Sequence, residues 1–265
     1  MTVADERPAN RIPAPGARFA GIDTRLYLVT DSGQCRDAGR TVAATVEAAV
    51  AGGVGIVQVR DKDIDDSDFL ALTREVVTAV DRAVAGTGRQ VPVVLNDRVA
   101  VARTLLGEGI PVHIHVGQSD TPVEEVRSLV GPEPLLGLSA ATAAEFAAAR
   151  TAGVVDLVGI GPVYDTTTKA DAPGGIGPER LGELTAEAGL PAVAIGGITA
   201  ANAASLRDRG LIGICVVSAI CRAADPAAAA AALLDAFDGP VAPDGRVAPD
   251  GRVAPGGPVA PAGEQ

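Results

Sequence analysis

Three positively charged residues follow short apolar runs of the sequence on their C-terminal side. Arg60 and Lys62 follow the run GIVQV, and Lys169 lies in a polar, glycine-rich loop that follows the apolar run 154–160. One guanidinium and two ammonium groups brought together would suit a diphosphate, because they stabilise negative charge on its oxygens. The alternative is that these are solvated surface charges, or that they pair with the acidic residues beside them.

Two carboxylates are placed so that they could share one Mg²⁺. Asp97 ends the run VVLND, and Asp120 follows the run HIHV through the residues GQSD. Mg²⁺ favours one or two carboxylates, with waters and substrate phosphate oxygens completing its coordination. A turn or a helix cap would explain a single aspartate, but two aspartates beside a cationic cluster favour a metal site.

A second anion-binding region is predicted where hydroxyl groups and glycines follow the apolar runs. Three consecutive threonines precede Lys169, and glycine allows backbone amides to approach phosphate oxygens closely. Gly196 and Gly197 follow one run and Ser218 follows the next, which matches the usual phosphate site of an α/β barrel. The alternatives are a solvated surface loop for the threonines and a tight turn for the glycines.

The histidines and cysteines indicate no further catalytic centre. His113 and His115 alternate with apolar residues, so both are expected to point into one interior, as core or substrate-lining side chains. The three cysteines show no metal-binding spacing, and their odd number favours reduced thiols and a cytoplasmic protein. Cys215 lies in an apolar run and is expected to be a core residue.

Apolar runs of strand length alternate with helical segments through the central part of the chain. The eight pairs predict an α/β fold, a closed (β/α)₈ TIM barrel. A doubly wound sheet is the alternative, but TDSGQC after the first run does not match its glycine-rich phosphate loop. The predicted strands are 26–30, 55–59, 92–95, 112–116, 135–138, 154–160, 191–195 and 212–217. The predicted helices are 41–51, 67–85, 98–106, 122–130, 143–152, 179–188, 201–209 and 226–237.

The composition predicts one catalytic domain, residues 23–238, between disordered tails. Residues 1–22 form a Pro- and Arg-containing lead without a hydrophobic stretch, and residues 239–265 repeat GPVAPD-like units that prevent regular structure. The 265-residue chain is 47% hydrophobic, which is enough for one sizeable core. A net charge of −11 without a basic patch argues against nucleic acid, and no apolar run reaches membrane-spanning length.

Nearly every predicted strand delivers polar groups to its C-terminal end, where barrels of this type place their functional residues. Chance would distribute such groups over both ends, so this convergence is a strong indication of a site. The group includes Gln58, Arg60, Lys62, Asn96, Asp97, Asp120, Ser139, Lys169, Gly196, Gly197 and Ser218.

The ordered motifs along the chain resemble those of thiamine phosphate synthases. These motifs are LYLVTD, VQVRDKD, VLNDRV, HVGQSD, GLSAAT, GIGPVYDTTTKAD, AIGGI and VVSAI. Each motif alone is weak, but the ordered set is specific and extends over about residues 25–237. The resemblance implies a homodimeric, Mg²⁺-dependent enzyme that joins hydroxymethylpyrimidine diphosphate to a thiazole phosphate and releases diphosphate.

The resemblance also implies roles for individual residues. Asp97 and Asp120 would bind Mg²⁺, while Arg60, Lys62 and Lys169 would stabilise the departing diphosphate. The pyrimidine diphosphate would contact Gln58, Arg60, Lys62, Asn96, Ser139 and Lys169. The thiazole phosphate would contact Thr166, Thr167, Thr168, Gly177, Val217 and Ser218.

The sequence departs from the family pattern at four positions. Asp165 replaces a usual proline, Ala170 a common lysine and Ala141 a frequent histidine, and His113 stands where a small residue is usual. None of these removes a group assigned to metal or diphosphate. A thiazole tautomerase-like isomerase, a non-catalytic phosphate-binding barrel and a sugar-phosphate epimerase are the alternative functions.

Overall fold

A computed structural model describes residues 17–166 and 174–239 of the chain. The strands are β1 Leu26–Val29, β2 Ile56–Val59, β3 Val93–Asn96, β4 His113–Val116, β5 Leu136–Ser139, β6 Leu157–Ile160, β7 Ala192–Ile195 and β8 Gly213–Val216. The helices are α1 Ser32–Asp37, α2 Val42–Ala51, α3 Asp66–Val84, α4 Val99–Gly107, α5 Val123–Val130, α6 Ala143–Ala152, α7 Gly177–Ala188, α8 Ser218–Cys221 and α9 Pro226–Asp238.

The eight strands form a closed parallel barrel in sequence order, and β8 pairs with β1. The predicted (β/α)₈ barrel is therefore confirmed. Parallel strands need long crossover connections, and here helical segments supply them on the outside of the barrel. All the carboxyl ends of the strands consequently meet at one rim, the C-terminal rim, which is where the predicted site residues fall.

The core consists of two apolar clusters, one between the barrel and the helices and one inside the barrel. Outside the barrel, residues such as Leu28, Val57 and Ile114 pack against the helices. The residues inside the barrel share the opposite strand face and are Tyr27, Val29, Ile56, Val94, Leu157, Val193 and Cys215. Cys215 is thus a core residue, as its apolar surroundings predict, and all three cysteines of the sequence are buried free thiols.

The starts of α3 and α5 differ in how they are capped. Asp65 caps α3, because its carboxylate accepts a hydrogen bond from the Asp68 amide. The N-cap of α5 is Pro122, without a side-chain cap bond. Helix α3 therefore begins at Asp66, one residue before the predicted start.

The predicted helix 201–209 is a short 3₁₀ turn, Ala203–Leu206. Its alanines favour helix, but both amide atoms of Asn202 are engaged by the preceding turn. Oδ1 accepts from Thr199 N at 2.8 Å and Nδ2 donates to Gly197 O at 2.9 Å. The backbone then becomes extended at Arg207, which ends the helical segment. The sequence reading also missed α1 and α8, which are only six and four residues long.

Part of the predicted disordered lead belongs to the folded barrel. A 3₁₀ turn at Ala17–Phe19 lies at the N-terminal end of the barrel, where Arg18 donates to Pro132 O and pairs with the buried Asp156. Asp156 also accepts from Arg127 at 3.1 Å and from Leu136 N at 2.8 Å. The remainder of the predicted lead, 1–16, and the repeats from 240 onward lie outside the described residues.

Among the helices that the structure describes, none combines the length and the apolar character needed to cross a membrane.

Candidate active site

The first two strands build one side of the rim. Gln58 of β2 is 4% exposed and donates from Nε2 to the hydroxyl of Tyr27 at 2.9 Å. Thr30, directly after β1, is fully buried and its Oγ1 accepts from the backbone N–H of Arg60 at 3.0 Å. These bonds fix the end of β2, from which Arg60 and Lys62 project.

Arg60 and Lys62 carry charge that the fold leaves available for a ligand. Arg60 is half-buried and Lys62 is exposed. Neither forms an ion pair with any residue in the described ranges, and Asp61 accepts from the Asp63 amide at 2.9 Å instead. The predicted alternative, in which these cations pair with Asp61 and Asp63, does not occur. Lys169 falls outside the described residues.

Asp97 and Asp120, from the neighbouring ends of β3 and β4, come together as predicted. The two carboxyl groups are close enough to interact, and the Lys62 ammonium acts on Asp97 electrostatically. Asp97 has φ +62°, a left-handed conformation that aspartate and asparagine tolerate better than most residues. Its amide donates to His115 O at 2.9 Å, and Asn96 Nδ2 donates to its Oδ2 at 2.5 Å.

Asp120 is oriented by its own loop. Gly117 N donates to Asp120 Oδ2 at 2.7 Å, and a Cβ at Gly117 would lie 2.9 Å from the same oxygen. Glycine at this position therefore lets the loop turn back sharply enough to aim the carboxylate at Asp97. The GQSD spacing, with a glycine three residues before the aspartate, is the sequence signal for this turn.

Burial, together with the adjacent Asp120 carboxylate, raises the pKa of Asp97 to about 6. Lys62 and Asn96 act in the opposite direction but do not cancel the effect. Two carboxylates held together at a half-buried position repel each other when both are ionised, and a bound cation would relieve that repulsion.

This pair of carboxylates fits the donor set that Mg²⁺ uses, one or two carboxylates completed by water and substrate oxygens. No group of three or more histidine, cysteine or acidic side chains suited to a metal occurs in the part of the chain that the structure describes. The residues therefore suit a metal that also binds substrate phosphate oxygens, rather than a metal enclosed by protein ligands alone.

His115 and Ser139 meet at the ends of β4 and β5. The ring Nε2 of His115 lies 3.0 Å from Ser139 Oγ, and Gln118 Nε2 donates to Ser139 O at 2.7 Å. The ring lies over Gly137 and beside Gly159, where a Cβ would be 2.3 Å and 3.5 Å away, respectively. His115 is thus directed into the barrel, as the alternating pattern predicts.

His113 lies deeper, toward the opposite end of the barrel. Its Nδ1 accepts from Leu135 N at 2.9 Å. Burial, together with the nearby Arg18 guanidinium, lowers its pKa to about 4. His113 is therefore a neutral core residue, as its sequence setting favours, and it does not join His115 in a site.

The predicted phosphate-binding glycines lie against the segment that follows β6. Gly196 and Gly197 have φ of +106° and +63°, and a Cβ on either would lie within 2.6 Å of backbone atoms of Pro162 or Asp165. Gly177, with φ +78°, begins α7, and Ser218 begins α8 directly after Val217. Glycine is required at the first two positions by both conformation and space.

The threonine loop is described only in part. Thr166 is half-buried, whereas Thr167 and Thr168 fall, with Lys169 and Ala170, outside the described residues. The sequence analysis did not identify Tyr27 as a candidate site residue, although the strand alternation that pairs it with the face of Gln58 could have done so. His115, predicted as a core or substrate-lining side chain, contacts Ser139.

A family model described as thiamine monophosphate synthase matches residues 26–220, which span the barrel from β1 into α8. A thiamine-phosphate synthase of Roseiflexus sp. (strain RS-1) is 40% identical over 222 residues, covering 83% of this chain and 87% of the relative. A thiamine-phosphate synthase of Psychrobacter sp. (strain PRwf-1) is 42% identical over 211 residues, covering 79% of this chain and 93% of the relative.

Solved structures also resemble this barrel. A thiamine phosphate pyrophosphorylase from Pyrococcus furiosus superposes with a TM-score of 0.68 at 26% identity, covering 83% of this chain and 98% of that chain. A tryptophan synthase of Mycobacterium tuberculosis superposes with a TM-score of 0.56 at 19% identity, covering 85% of this chain and 99% of that chain. The second likeness concerns the fold alone.

Proposed function

The chain belongs to the thiamine monophosphate synthase family, and we propose that its C-terminal rim joins hydroxymethylpyrimidine diphosphate to thiazole phosphate. The chain is accordingly an enzyme of thiamine biosynthesis that produces thiamine phosphate. The observation that carries the assignment of the rim is the meeting of Asp97, Asp120 and Lys62, which come from the ends of three successive strands.

The pyrimidine diphosphate binds on the side of the rim formed by β2 to β5. Arg60 and Lys62 supply positive charge without an ion-pair partner among the described residues. The family pattern adds Gln58, Asn96, Ser139 and Lys169. Gln58 and Ser139 have defined orientations through Tyr27 and His115, so they can position a ring without reorganising first.

Asp97 and Asp120 hold Mg²⁺ in this proposal. When bound there, the ion would neutralise negative charge on the diphosphate oxygens. Asn96 donates to Asp97 and Gly117 N donates to Asp120, so each carboxylate is oriented by a neighbouring donor.

The thiazole phosphate binds on the opposite side of the rim. Thr166, Thr167, Thr168, Gly177, Gly196, Gly197, Val217 and Ser218 are the residues proposed to surround it. The glycines allow backbone N–H groups to come close to the phosphate oxygens, which side chains would otherwise prevent.

The reaction requires charge stabilisation more than acid–base catalysis. The bond between the pyrimidine methylene carbon and the diphosphate oxygen breaks, and its electron pair leaves with the diphosphate. Arg60, Lys62 and Lys169 stabilise that charge, which makes them the catalytic residues. The thiazole nitrogen then uses its lone pair to form the new carbon–nitrogen bond, and its position opposite the diphosphate provides proximity.

The substrates are the partners that this proposal requires. A homodimer, as the family resemblance implies, and a cytoplasmic location, as three free thiols favour, complete the proposal.

The direct test mixes purified protein with both substrates and Mg²⁺, and follows thiamine phosphate through the fluorescence of its oxidised form. Product that forms with Mg²⁺ and disappears with excess chelator supports the proposal. Folded protein that forms no product in the presence of Mg²⁺ would reject it. An isomerase of the tautomerase type requires neither diphosphate nor Mg²⁺, so it would form no thiamine phosphate in these samples, with or without chelator.

A further inference from the structure

The segment 162–165, which follows β6, is held between two glycine-rich segments of the rim. On one side, Val163 N donates to Ile195 O at 2.9 Å and Tyr164 N donates to Gly196 O at 3.0 Å. On the other side, Ile176 N donates to Pro162 O at 3.0 Å and Gly177 N donates to Val163 O at 2.9 Å. The segment therefore fixes both parts of the proposed phosphate region relative to each other.

A third amide on the second side is bound by a side chain. Gly175 N donates to Asp165 Oδ1 at 2.9 Å. Three consecutive amides, from Gly175 to Gly177, are thus attached to 162–165. Two of these bonds use backbone carbonyls, which any sequence would supply, but the third exists only because residue 165 carries an acceptor.

Close backbone packing leaves this arrangement little freedom. A Cβ at Gly175 would lie 2.6 Å from Tyr164 Cα, and a Cβ at Gly197 would lie 2.6 Å from Asp165 O. The Tyr164 hydroxyl reaches Asn202 O at 3.2 Å, and Asn202 Nδ2 donates to Gly197 O at 2.9 Å. A shift of Asp165 would therefore change the positions of both glycine-rich segments.

We propose that Asp165 is a positioning residue for the thiazole phosphate, through the hydrogen bond from Gly175 N to its carboxylate. The inference rests on the proposed function of the rim. In this proposal Asp165 acts through the backbone and not on the reacting atoms. It holds the backbone at Gly175–Gly177 in the geometry that faces Gly196 and Gly197, and its side chain is exposed, so it contributes little to the core.

Two substitutions separate hydrogen-bond acceptance from charge. Asp165→Ala removes the acceptor, and loss of one hydrogen bond of this kind corresponds to about a three- to tenfold weakening of thiazole phosphate binding. Asp165→Asn keeps an acceptor oxygen and is expected to stay within about twofold of wild type. Asp65→Ala is the matched control, because it removes an equally exposed carboxylate–amide bond of 2.9 Å at the start of α3.

The measurements are titration of each protein with thiazole phosphate by calorimetry, and KM for each substrate separately. The expected result is weaker thiazole phosphate binding and a raised thiazole phosphate KM in Asp165→Ala, an unchanged KM for the pyrimidine diphosphate, and wild-type values in Asp65→Ala. Equal effects on both substrates, an Asn variant as weak as the Ala variant, or an unaffected Ala variant would each overturn the proposal. Wild-type turnover in the same assay tests the proposed function independently of these comparisons.

Discussion

The ring of His115 occupies the space that a side chain at residue 137 would need, since a Cβ on Gly137 would lie 2.3 Å from its Nδ1. The two residues are partners in the β4–β5 register. Because residue 137 is glycine, the ring can lie against the strand and bring Nε2 to 3.0 Å from Ser139 Oγ. A backbone position without a side chain thus determines how a candidate substrate-binding hydroxyl is oriented.

Gly137→Ala is expected to displace His115 and lower kcat/KM by about tenfold, because Ser139 loses its oriented partner. The free energy of unfolding should also fall by about 1–3 kcal/mol, since the extra methyl group overfills the barrel interior. Steady-state kinetics and urea unfolding provide the two measurements. Gly107→Ala is the matched control, because a Cβ there meets nothing within 4 Å and should leave both quantities near wild type. Equal behaviour of the two variants would contradict the role of Gly137.

Asp97→Asn and Asp120→Asn are each expected to lower kcat/KM on the order of a hundredfold and to weaken Mg²⁺ binding. Asparagine tolerates the left-handed backbone at residue 97, so the substitution changes charge without imposing strain there. Binding of Mn²⁺ as a spectroscopic substitute, measured without substrates, reports the metal site independently of activity. Asp63→Asn, an exposed carboxylate on the same rim, is the control. Unchanged metal binding in both site variants would place the ion elsewhere.

Lys62 and Lys169 are the only lysines in the sequence, which otherwise uses arginine for its positive charges. Besides the terminal amine, these two side chains are therefore the amines that a reagent at low excess would acetylate. We expect acetylation of the two lysines to inactivate the enzyme. Mg²⁺ with diphosphate should protect Lys62 by occupying the adjacent site. Peptide mass spectrometry locates the acetyl groups. Rapid acetylation of both lysines with full retention of activity would argue against their catalytic role.

Asp156→Asn is expected to destabilise the fold by about 3–5 kcal/mol, because Arg18 and Arg127 would lose the carboxylate that compensates their buried charges. Urea unfolding followed by circular dichroism measures the loss. Glu108→Gln, which breaks the exposed pair with Arg74, should cost less than about 1 kcal/mol. Similar losses of unfolding free energy in the two variants would show that the buried cluster stabilises the fold no more than an exposed ion pair does.

His113 should make the fold sensitive to acid. Its pKa is lowered to about 4 in the folded protein, mainly by burial, while the unfolded chain would bind a proton near pH 6.5. The unfolded state therefore binds more protons between these values, so stability falls as pH is lowered through this window. At pH 5 the loss attributable to His113 is about 2 kcal/mol relative to pH 7.5.

His113→Asn removes the titration but keeps an acceptor for Leu135 N. Urea unfolding at pH 7.5 and pH 5 should therefore show a smaller loss in this variant than in wild type. Parallel losses in the two proteins would mean that other groups account for the acid sensitivity.

The periodicity of the sequence was sufficient to predict the barrel, because eight apolar runs separated by helical segments have few other ways to bury both strand faces. The proximity of Asp97 and Asp120 was also predictable, since both follow neighbouring parallel strands. The cap at Asp65 and the short turn at Ala203–Leu206 were not predictable. Each depends on which of several nearby side chains forms a hydrogen bond with the backbone.

The role of Gly137 could not be predicted either. Whether a strand glycine weakens a strand or makes room for a neighbour depends on the register between strands, which a single sequence does not reveal. The contact between Asp165 and Gly175 could not be predicted for a similar reason. It joins residues ten positions apart, and only the folded backbone brings them together.

Arg18 pairs with Asp156 at the N-terminal end of the barrel, and Arg25, directly before β1, pairs with Asp238 at the end of α9. The first and last described segments therefore both lie on the side opposite the C-terminal rim. An affinity tag, a fluorophore or a surface linker attached through either segment would start from that side. Immobilised enzyme can thus be oriented with its rim toward the solution, without engineering an attachment point into the barrel.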